Sequence, residues 1–593
     1  VNFTRTFDIL PYQLHRFPLA NAVHGRQNGV WKPWSTEALL TASDRLSAGL
    51  LQRSYQRGDR VGLWVDAGSP EWLLVDRALQ QIGLIPVPLH ATAREAEIRF
   101  IAENAYLVAC FVSNAALLTR WRGWFPDMED VFTLQPVPGS IHWETLCAAP
   151  DDALETRRAS ITETDAALLL YTSGASGQPK GVLLSHQNAV SNVKSVLAFT
   201  PVEPGETVVS FLPLSHVLER SAVCLYQAAG AEIWFLEDIN QLETDMQAIK
   251  PHFFTTVPRI LERMYGRAVE LKRQAKPLRR RLMGWALDIG LHYPFHVGEA
   301  RFRPWYRVQL AIARLLVFNH LKRMLGGRVH GIATGAAALA PRIARFFAAA
   351  GVPVREGYGM TETSPVVAFN RFEPGGFRLG TVGLPAPGVE IRIGEEIEEG
   401  GIGEIEVRGP GVMLGYWNAP AETRSALTED GWLKTGDLGV WEHKRFLKIT
   451  GRRSELFKTS SGKFISPTFV EAQLLHSPFI AQALAVGANM PFVGALIVPD
   501  FGQLERWCRK NNVHWTAPVY MVHNLRVQQF LESEIQQIND TQLSPVERVR
   551  AHHLVVEPWT VQNGYLTATL KMRRGEISQK YAPEIDRLFT TPL

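Results

Sequence analysis

Cysteine is scarce in this 593-residue chain, and Cys110, Cys147, Cys224 and Cys508 lie far apart without forming a CxxC pair. That spacing argues against a disulfide framework or a zinc site and for a reducing, cytoplasmic compartment. No run of about 18 apolar residues occurs, so no transmembrane helix is expected. The stretch from Val1 to Arg5 lacks the apolar core of a secretory signal, and none is expected. Formal net charge is only +4, so nothing global attracts a nucleic acid and any basic patch has to be local. Internal repeats and low-complexity tracts are absent. So is the Gly-x-x-x-x-Gly-Lys-Ser/Thr order of a Walker A loop.

What is present is an ordinary globular balance, 46% apolar and 20% charged, in a chain too long for one hydrophobic core. Apolar strand-like runs alternate with helix-like pieces. Arg60-Val61-Gly62-Leu63-Trp64-Val65 reads as a buried strand, Pro70 opens a helix, and Gly83 to Leu89 reads as the next strand. The same grammar returns at Thr207 to Pro213 and Ala231 to Leu236. This predicts an α/β fold with a largely parallel sheet. After about residue 380, short β-like stretches separated by glycines predict a β-rich subdomain, and beyond Gly451 a small α+β lid is expected.

The stretch 266–330 is helix-like and basic, including Lys276-Pro277-Leu278-Arg279-Arg280-Arg281, and its second half reads as an amphipathic surface helix. Two readings stay open. It is a solvated insertion packed on its own domain, or an interfacial helix attracted to anionic lipid.

Ala166 to Leu170 reads as a buried strand running into Tyr171-Thr172-Ser173-Gly174-Ala175-Ser176-Gly177-Gln178-Pro179-Lys180-Gly181, followed by apolar Val182-Leu183-Leu184. Small hydroxyls and glycines let backbone N–H groups approach a polyphosphate closely, and Lys180 supplies a cation. An ordinary Ser/Gly-rich turn is the alternative. The segment resembles the signature loop of the adenylate-forming superfamily, which contains acyl-CoA synthetases, luciferases and adenylation domains. Three further stretches strengthen the resemblance in the same order: Glu356-Gly357-Tyr358-Gly359-Met360-Thr361-Glu362, Lys434-Thr435-Gly436-Asp437, and Gly451-Arg452-Arg453-Ser454-Glu455 with Gly462-Lys463 after it.

The resemblance implies an N-terminal domain of 1–450, a hinge at 451–455 and a mobile C-terminal lid of 456–593, with the active site in the cleft between them. It implies that Thr172, Ser173, Gly174, Ser176, Gly177 and Lys180 line the ATP triphosphate. Glu362, with Thr172, holds Mg²⁺, a hard cation suited to a carboxylate and phosphate oxygens. Glu356, Gly357, Tyr358, Gly359 and Thr361 border the nucleotide, with Tyr358 stacked on adenine and Gly335 and Ala336 as the opposite wall. Asp437 takes the ribose hydroxyls, Arg452 lies close by, and Lys463 follows the hinge. Lys571, in Asn563-Gly564-Tyr565-Leu566-Thr567-Ala568-Thr569-Leu570-Lys571, is implied as the lysine that reaches in for adenylation.

Pro213-Leu214-Ser215-His216-Val217-Leu218-Glu219-Arg220 and Val257-Pro258-Arg259 resemble the long-chain fatty acyl-CoA synthetase branch. On that branch His216 lies near the fatty carboxylate; a structural histidine at a helix start is the alternative. The implied reaction joins a long-chain fatty acid to coenzyme A through an acyl-adenylate. The rivals are transfer to a carrier protein, an aryl acid, or a weakened lipid-binding scaffold. The scaffold reading is motivated by departures from the family pattern: Ala175 in the phosphate loop, Ser454 at the hinge, Ala568 before the terminal lysine, and Thr334-Gly335-Ala336-Ala337-Ala338. Fatty acid, ATP and CoA are the expected partners, with no nucleic acid. The segment 266–330 is a candidate for peripheral contact with the inner face of a membrane. Oligomeric state stays open, a homodimer among the alternatives.

Overall fold

Val61, Leu63 and Trp64 are buried in the strand Arg60–Val65, which pairs in parallel with Ile85–His90 on one side and Leu107–Val112 on the other. A strand covered on both faces needs a continuous apolar run rather than an alternating one, and that is what this segment supplies. Val131–Thr133 and Ile141–His142 complete a five-stranded sheet. The following helix, Pro70–Gln80, starts where the Ser69 hydroxyl accepts the Trp72 N–H and Pro70 occupies the first turn.

The computed structural model describes residues 3–27, 29–173, 178–294, 304–398, 401–460, 463–560, 562–566 and 572–590. The chain divides into two units. The larger comprises Val1–Arg392, Glu406–Lys434 and Glu442–Leu447; the smaller comprises Ile393–Ile405, Thr435–Trp441 and Lys448–Leu593. The mixed α/β class expected from the alternation of strands and helices holds.

Within the larger unit a nine-stranded sheet carries the residues of interest. Its central strands, Thr207–Ser210, Phe253–Thr256, Gly331–Thr334 and Val354–Gly359, run parallel, and the chain then returns as the antiparallel strand Val366–Phe369. Side chains alternate between two apolar cores: Val208 and Phe253 enter one, Val209 and Phe254 the other. A third sheet pairs Ala166–Ser173 with Pro179–Ser185, and Gly415–Tyr416 lies on its far edge.

The basic segment is helical over Pro258–Gln274, Pro277–Leu291 and Pro304–Ala313, continues through a π turn at Arg314–Phe318, and ends as Asn319–Met324. Leu310, Ala313, Phe318, Leu321 and Met324 are buried on its inner side. Among the described residues no helix is long and apolar enough to cross a membrane.

Glu390–Glu398, Ile402–Arg408, Leu433–Glu442 and Phe446–Arg452 form a four-stranded sheet in that order. In the smaller unit the three-stranded sheet Ile480–Val486, Val493–Pro499 and Val549–Leu554 packs with the helices Pro467–Leu474 and Leu525–Thr541 around one apolar core. Glu471 is buried there. Its carboxylate accepts both terminal nitrogens of Arg574 at 2.6 Å and the Ala485 N–H at 2.7 Å. Arg574 is only half-buried and also has Glu455 at 3.6 Å, so removing Glu471 leaves it a partner and costs less than the about 3–5 kcal/mol of a fully stranded buried charge. Glu471→Ala is therefore expected to lower the unfolding free energy read from urea denaturation by about 1–3 kcal/mol, whereas an unchanged value would show that Glu455 and water replace the lost partner in full.

Candidate active site

The hairpin register decides the first part of the site. Thr172 lies directly opposite Lys180, and Tyr171 opposite Gly181. Side chains directly opposite on such strands share a face with Cβ atoms about 4.5–5.5 Å apart, so a hydroxyl and an ammonium project together where the hairpin opens into its loop. Gly174, Ala175, Ser176 and Gly177 lie outside the described residues, and Ser173 is described only as the end of its strand.

The third strand adds a residue that the motifs did not point to. Tyr416 pairs with Val182, and its ring centroid lies 5.4 Å from the Lys180 Nζ. Its hydroxyl donates to Glu362 Oε1 at 2.9 Å. Burial, then the neighbouring Glu362 charge, raises the Tyr416 phenol well above its ordinary pKa, so it stays a donor. Lys180, Tyr416 and Glu362 thus form a connected chain of cation, aromatic ring and buried carboxylate. Nothing in the local pattern of Gly415-Tyr416-Trp417 marks this tyrosine, because its partner is 54 positions away.

Glu362 sits on the 3₁₀ turn Thr361–Thr363, which is held by its surroundings. The Met360 N–H donates to the Thr363 hydroxyl at 3.1 Å. The Asn192 side chain donates to the Val366 carbonyl at 2.8 Å and accepts the Val366 N–H at 3.2 Å. Gly359 precedes this turn in a space that admits no side chain: a Cβ there would lie 1.8 Å from the Pro365 carbonyl oxygen.

Two strand ends supply the next group. Thr334 pairs with Glu356, which leaves Gly335 and Ala336 beside Gly357 and Tyr358. A Cβ on Gly335 would stand 3.4 Å from the Gly357 carbonyl oxygen, so the two backbones run close, and Ala336 takes a left-handed φ of +68° to turn the chain. The Glu356 carboxylate accepts the Leu339 N–H at 2.9 Å, tying the loop after Gly335 to its own strand. Desolvation pushes its pKa up to about 8 against that hydrogen bond.

His216 caps the helix Val217–Ala229, its Nδ1 accepting the Leu218 N–H at 3.3 Å. Three buried side chains fix this helix. Glu219 accepts the Ser210 hydroxyl at 2.5 Å, Arg220 donates to both oxygens of Asp76 at 2.6 and 2.8 Å, and the Tyr226 and Thr255 hydroxyls lie 2.8 Å apart. Glu219 was not singled out as a site residue. A Glu three positions after the capping histidine reads as an ordinary first-turn acid, which suits a helix N-terminus without further meaning. The fold instead seals it against the end of the strand Thr207–Ser210. Burial raises its pKa to about 8, opposed by hydrogen bonds from Ser210 and the backbone of Phe211 and Leu212.

In the smaller unit, buried Asp437 accepts Arg452 Nε at 2.7 Å. Beside it, Glu404 accepts the Gly436 N–H at 3.0 Å and Arg453 at 2.6 Å. Gly436 has a φ of +73°, a conformation glycine adopts without strain. Lys463 is exposed next to the strand Phe464–Ile465, its carbonyl accepting the Thr459 N–H at 2.9 Å. Lys571 lies outside the described residues.

Among the described residues no group of three or more His, Cys, Asp or Glu side chains converges. Mg²⁺ carried on substrate phosphates takes only one or two protein carboxylates and keeps several waters. A carboxylate such as Glu362 and a hydroxyl such as Thr172 are donors of the type that such an ion takes.

Because Glu219 holds its proton to about pH 8 when folded and to about 4.5 when exposed, the folded chain binds the extra proton between these values. Its contribution to stability is full below the lower value and is lost as pH rises toward the upper one. Glu219→Gln removes the titration while keeping the shape. Urea midpoints measured from pH 5 to pH 8 are expected to fall for the native chain relative to this variant; parallel curves would show that Glu219 is ionised throughout.

A sequence model described as AMP-binding enzyme matches residues 10–417, and one described as AMP-binding enzyme C-terminal domain matches 455–592. The chain is 31% identical over 571 residues to long-chain-fatty-acid–CoA ligase FadD15 of Mycobacterium tuberculosis, covering 95% of this chain and 93% of that one. It is 30% identical over 615 residues to human long-chain-fatty-acid–CoA ligase 6, covering 98% and 86%. The crystal structure of ATP-bound MatB from Rhodopseudomonas palustris shares the fold, with a TM-score of 0.69 at 21% identity over 97% of this chain and 99% of that one. The motifs and their order are thus those of a shared ancestry rather than a coincidence of loops, and the chain belongs to the AMP-binding enzyme family, the adenylate-forming superfamily, on its long-chain acyl-CoA synthetase branch.

Proposed function

We propose that this ligase activates a long-chain fatty acid with Mg-ATP and transfers the acyl group from the adenylate to coenzyme A. The observation that supports this most directly is the hairpin register that sets Thr172 opposite Lys180, with Tyr416 joining Lys180 to Glu362. Both ATP and a carboxylate are anionic, so attack on the α-phosphate needs cations and donors arranged before charge develops. Lys180 supplies a cation for the phosphates and Thr172 a hydroxyl. Glu362 would hold Mg²⁺, which supplies charge neutralisation on the phosphate oxygens when bound. Tyr416 donates to one oxygen of that carboxylate and so helps to orient it. Tyr358, Gly335 and Ala336 would border the adenine, and Asp437 and Arg452 the ribose.

In the proposed chemistry the fatty carboxylate oxygen bonds to the α-phosphorus as the bond to pyrophosphate breaks. The thiol sulfur of coenzyme A then attacks the acyl carbon and AMP leaves, with the thiol proton passing to solvent. Lys571 is assigned to the first step as a cation for the pentavalent phosphorus. His216 is assigned to the fatty carboxylate, on a helix that Glu219 and Arg220 hold in place. The names of the two curated relatives support the long-chain acid and coenzyme A.

The direct test is pyrophosphate release by purified protein with Mg-ATP and acids from acetate to oleate. Release should peak at long chains, and acyl-CoA should form once coenzyme A is added. Lys571→Ala should lower release at least about 100-fold, the scale of losing a charge-stabilising group. Tyr416→Phe keeps the ring against Lys180 but removes the donor to Glu362, a loss of roughly 1.5–3 kcal/mol that should slow release about 10- to 100-fold. A maximum at short or aromatic acids would overturn the substrate assignment, and an unaltered Tyr416→Phe enzyme would remove the tyrosine from the site.

A further inference from the structure

The helical run from Pro304 to Met324 is apolar on two sides. Its inner side is accounted for, since Leu310, Ala313, Phe318, Leu321 and Met324 join the core of the larger unit. Trp305, Val308, Ile312, Leu315 and Leu316 are exposed, Trp305 at 68% and Leu315 at 71%. Their spacing of three, four, three and one places them on a single helix face. A surface helix of a globular domain carries polar residues on that face, and single exposed apolar residues are ordinary where a contiguous stripe is not. The π turn at Arg314–Phe318 contributes to the pattern. Arg314 turns inward to donate to the Ala349 carbonyl at 2.8 Å, so its charge is withdrawn while Leu315 and Leu316 stay outside.

The surroundings are basic. From Lys276 to Arg328 the sequence holds eleven Lys and Arg against two acids, Asp288 and Glu299. Arg279, Arg280, Arg281, Arg307 and Arg323 are exposed, and Leu278, next to the first three, is 83% exposed.

We propose that this face docks on an anionic lipid bilayer, the Trp305–Leu316 stripe entering the boundary between headgroups and acyl chains while the arginines engage lipid phosphates. Such a helix lies in the plane of the interface rather than crossing it, in keeping with the absence of any spanning helix among the described residues. Tryptophan is suited to that boundary, and basic side chains near an anionic surface each add to the attraction. Charge complementarity favours lipid over a second copy of this chain, because a two-fold contact through this patch would bring two basic rims together. The inference is independent of which acid the enzyme activates.

The test is flotation of the full chain with vesicles of phosphatidylcholine alone and of phosphatidylcholine with phosphatidylglycerol. The native protein should bind the second kind and release as salt is raised. The triple variant Trp305→Ser, Leu315→Ser, Leu316→Ser should weaken that binding by about tenfold or more, and Arg279→Gln, Arg280→Gln, Arg281→Gln should do likewise and flatten the salt dependence. Circular dichroism and pyrophosphate release, unchanged in both variants, show that the fold survives. Native protein that stays off anionic vesicles, or variants that bind as well as the native chain, would overturn the proposal. So would a concentration-dependent dimer that the serine variant dissolves, which would give the face to a second copy.

Discussion

The antiparallel pairing of Ala166–Ser173 with Pro179–Ser185 is the constraint on which the rest of the site depends, since it places a hydroxyl and a cation opposite each other where the hairpin opens. A slip of one residue would turn Lys180 to the other face, because side chains alternate along a strand. The register is held by apolar residues: Leu168, Leu170, Val182 and Leu184 share a core with Val217 and Met413. Hydrophobic packing in the middle of the sheet therefore fixes the position of polar groups at its end. The edge strand Gly415–Tyr416 makes use of this by bringing a tyrosine between the lysine and the acid.

Around this hairpin the larger unit repeatedly uses buried or half-buried polar groups to hold loops near strand ends, the place where open α/β sheets form their sites. Glu356 ties down the loop after Gly335, Glu219 joins its helix to the end of the strand at Ser210, and Asn192 clamps the segment after Glu362. Each is costly to bury and useful only when its partner is in place. Glu219 and Glu356 share a raised pKa for the same reason, desolvation exceeding the effect of their hydrogen bonds. In the smaller unit the pairs Arg452–Asp437 and Arg453–Glu404 order the residues on either side of Gly436.

The helix from Pro304 to Met324 obeys a different logic. Its inner face satisfies the core and its outer face does not satisfy water, and the nearby charges are predominantly basic. An apolar sequence interrupted by Arg307, Arg314, Lys322 and Arg323 reads as one amphipathic helix. The distinction between a buried and an exposed apolar face appears only when the helix is set against its neighbours.

Much was legible in the sequence because it was local. The continuous apolar run at Arg60–Val65, the Ser-Pro start of the helix at Pro70, and the glycine-rich motifs each carry their physical reason within a few residues, and both the α/β class and the family followed from them. The residues that escaped, Tyr416 and Glu219, act through partners distant in the chain or through burial. A tyrosine 54 positions from Glu362 becomes its hydrogen-bond donor only because two strands pair. Glu219 becomes a high-pKa acid only because a strand end and a helix start close over it. Motif order and hydrophobic period were determined by the sequence alone. Register, burial and the dielectric around each charge were decided by the tertiary structure, because they are properties of contacts between segments and belong to no single one of them.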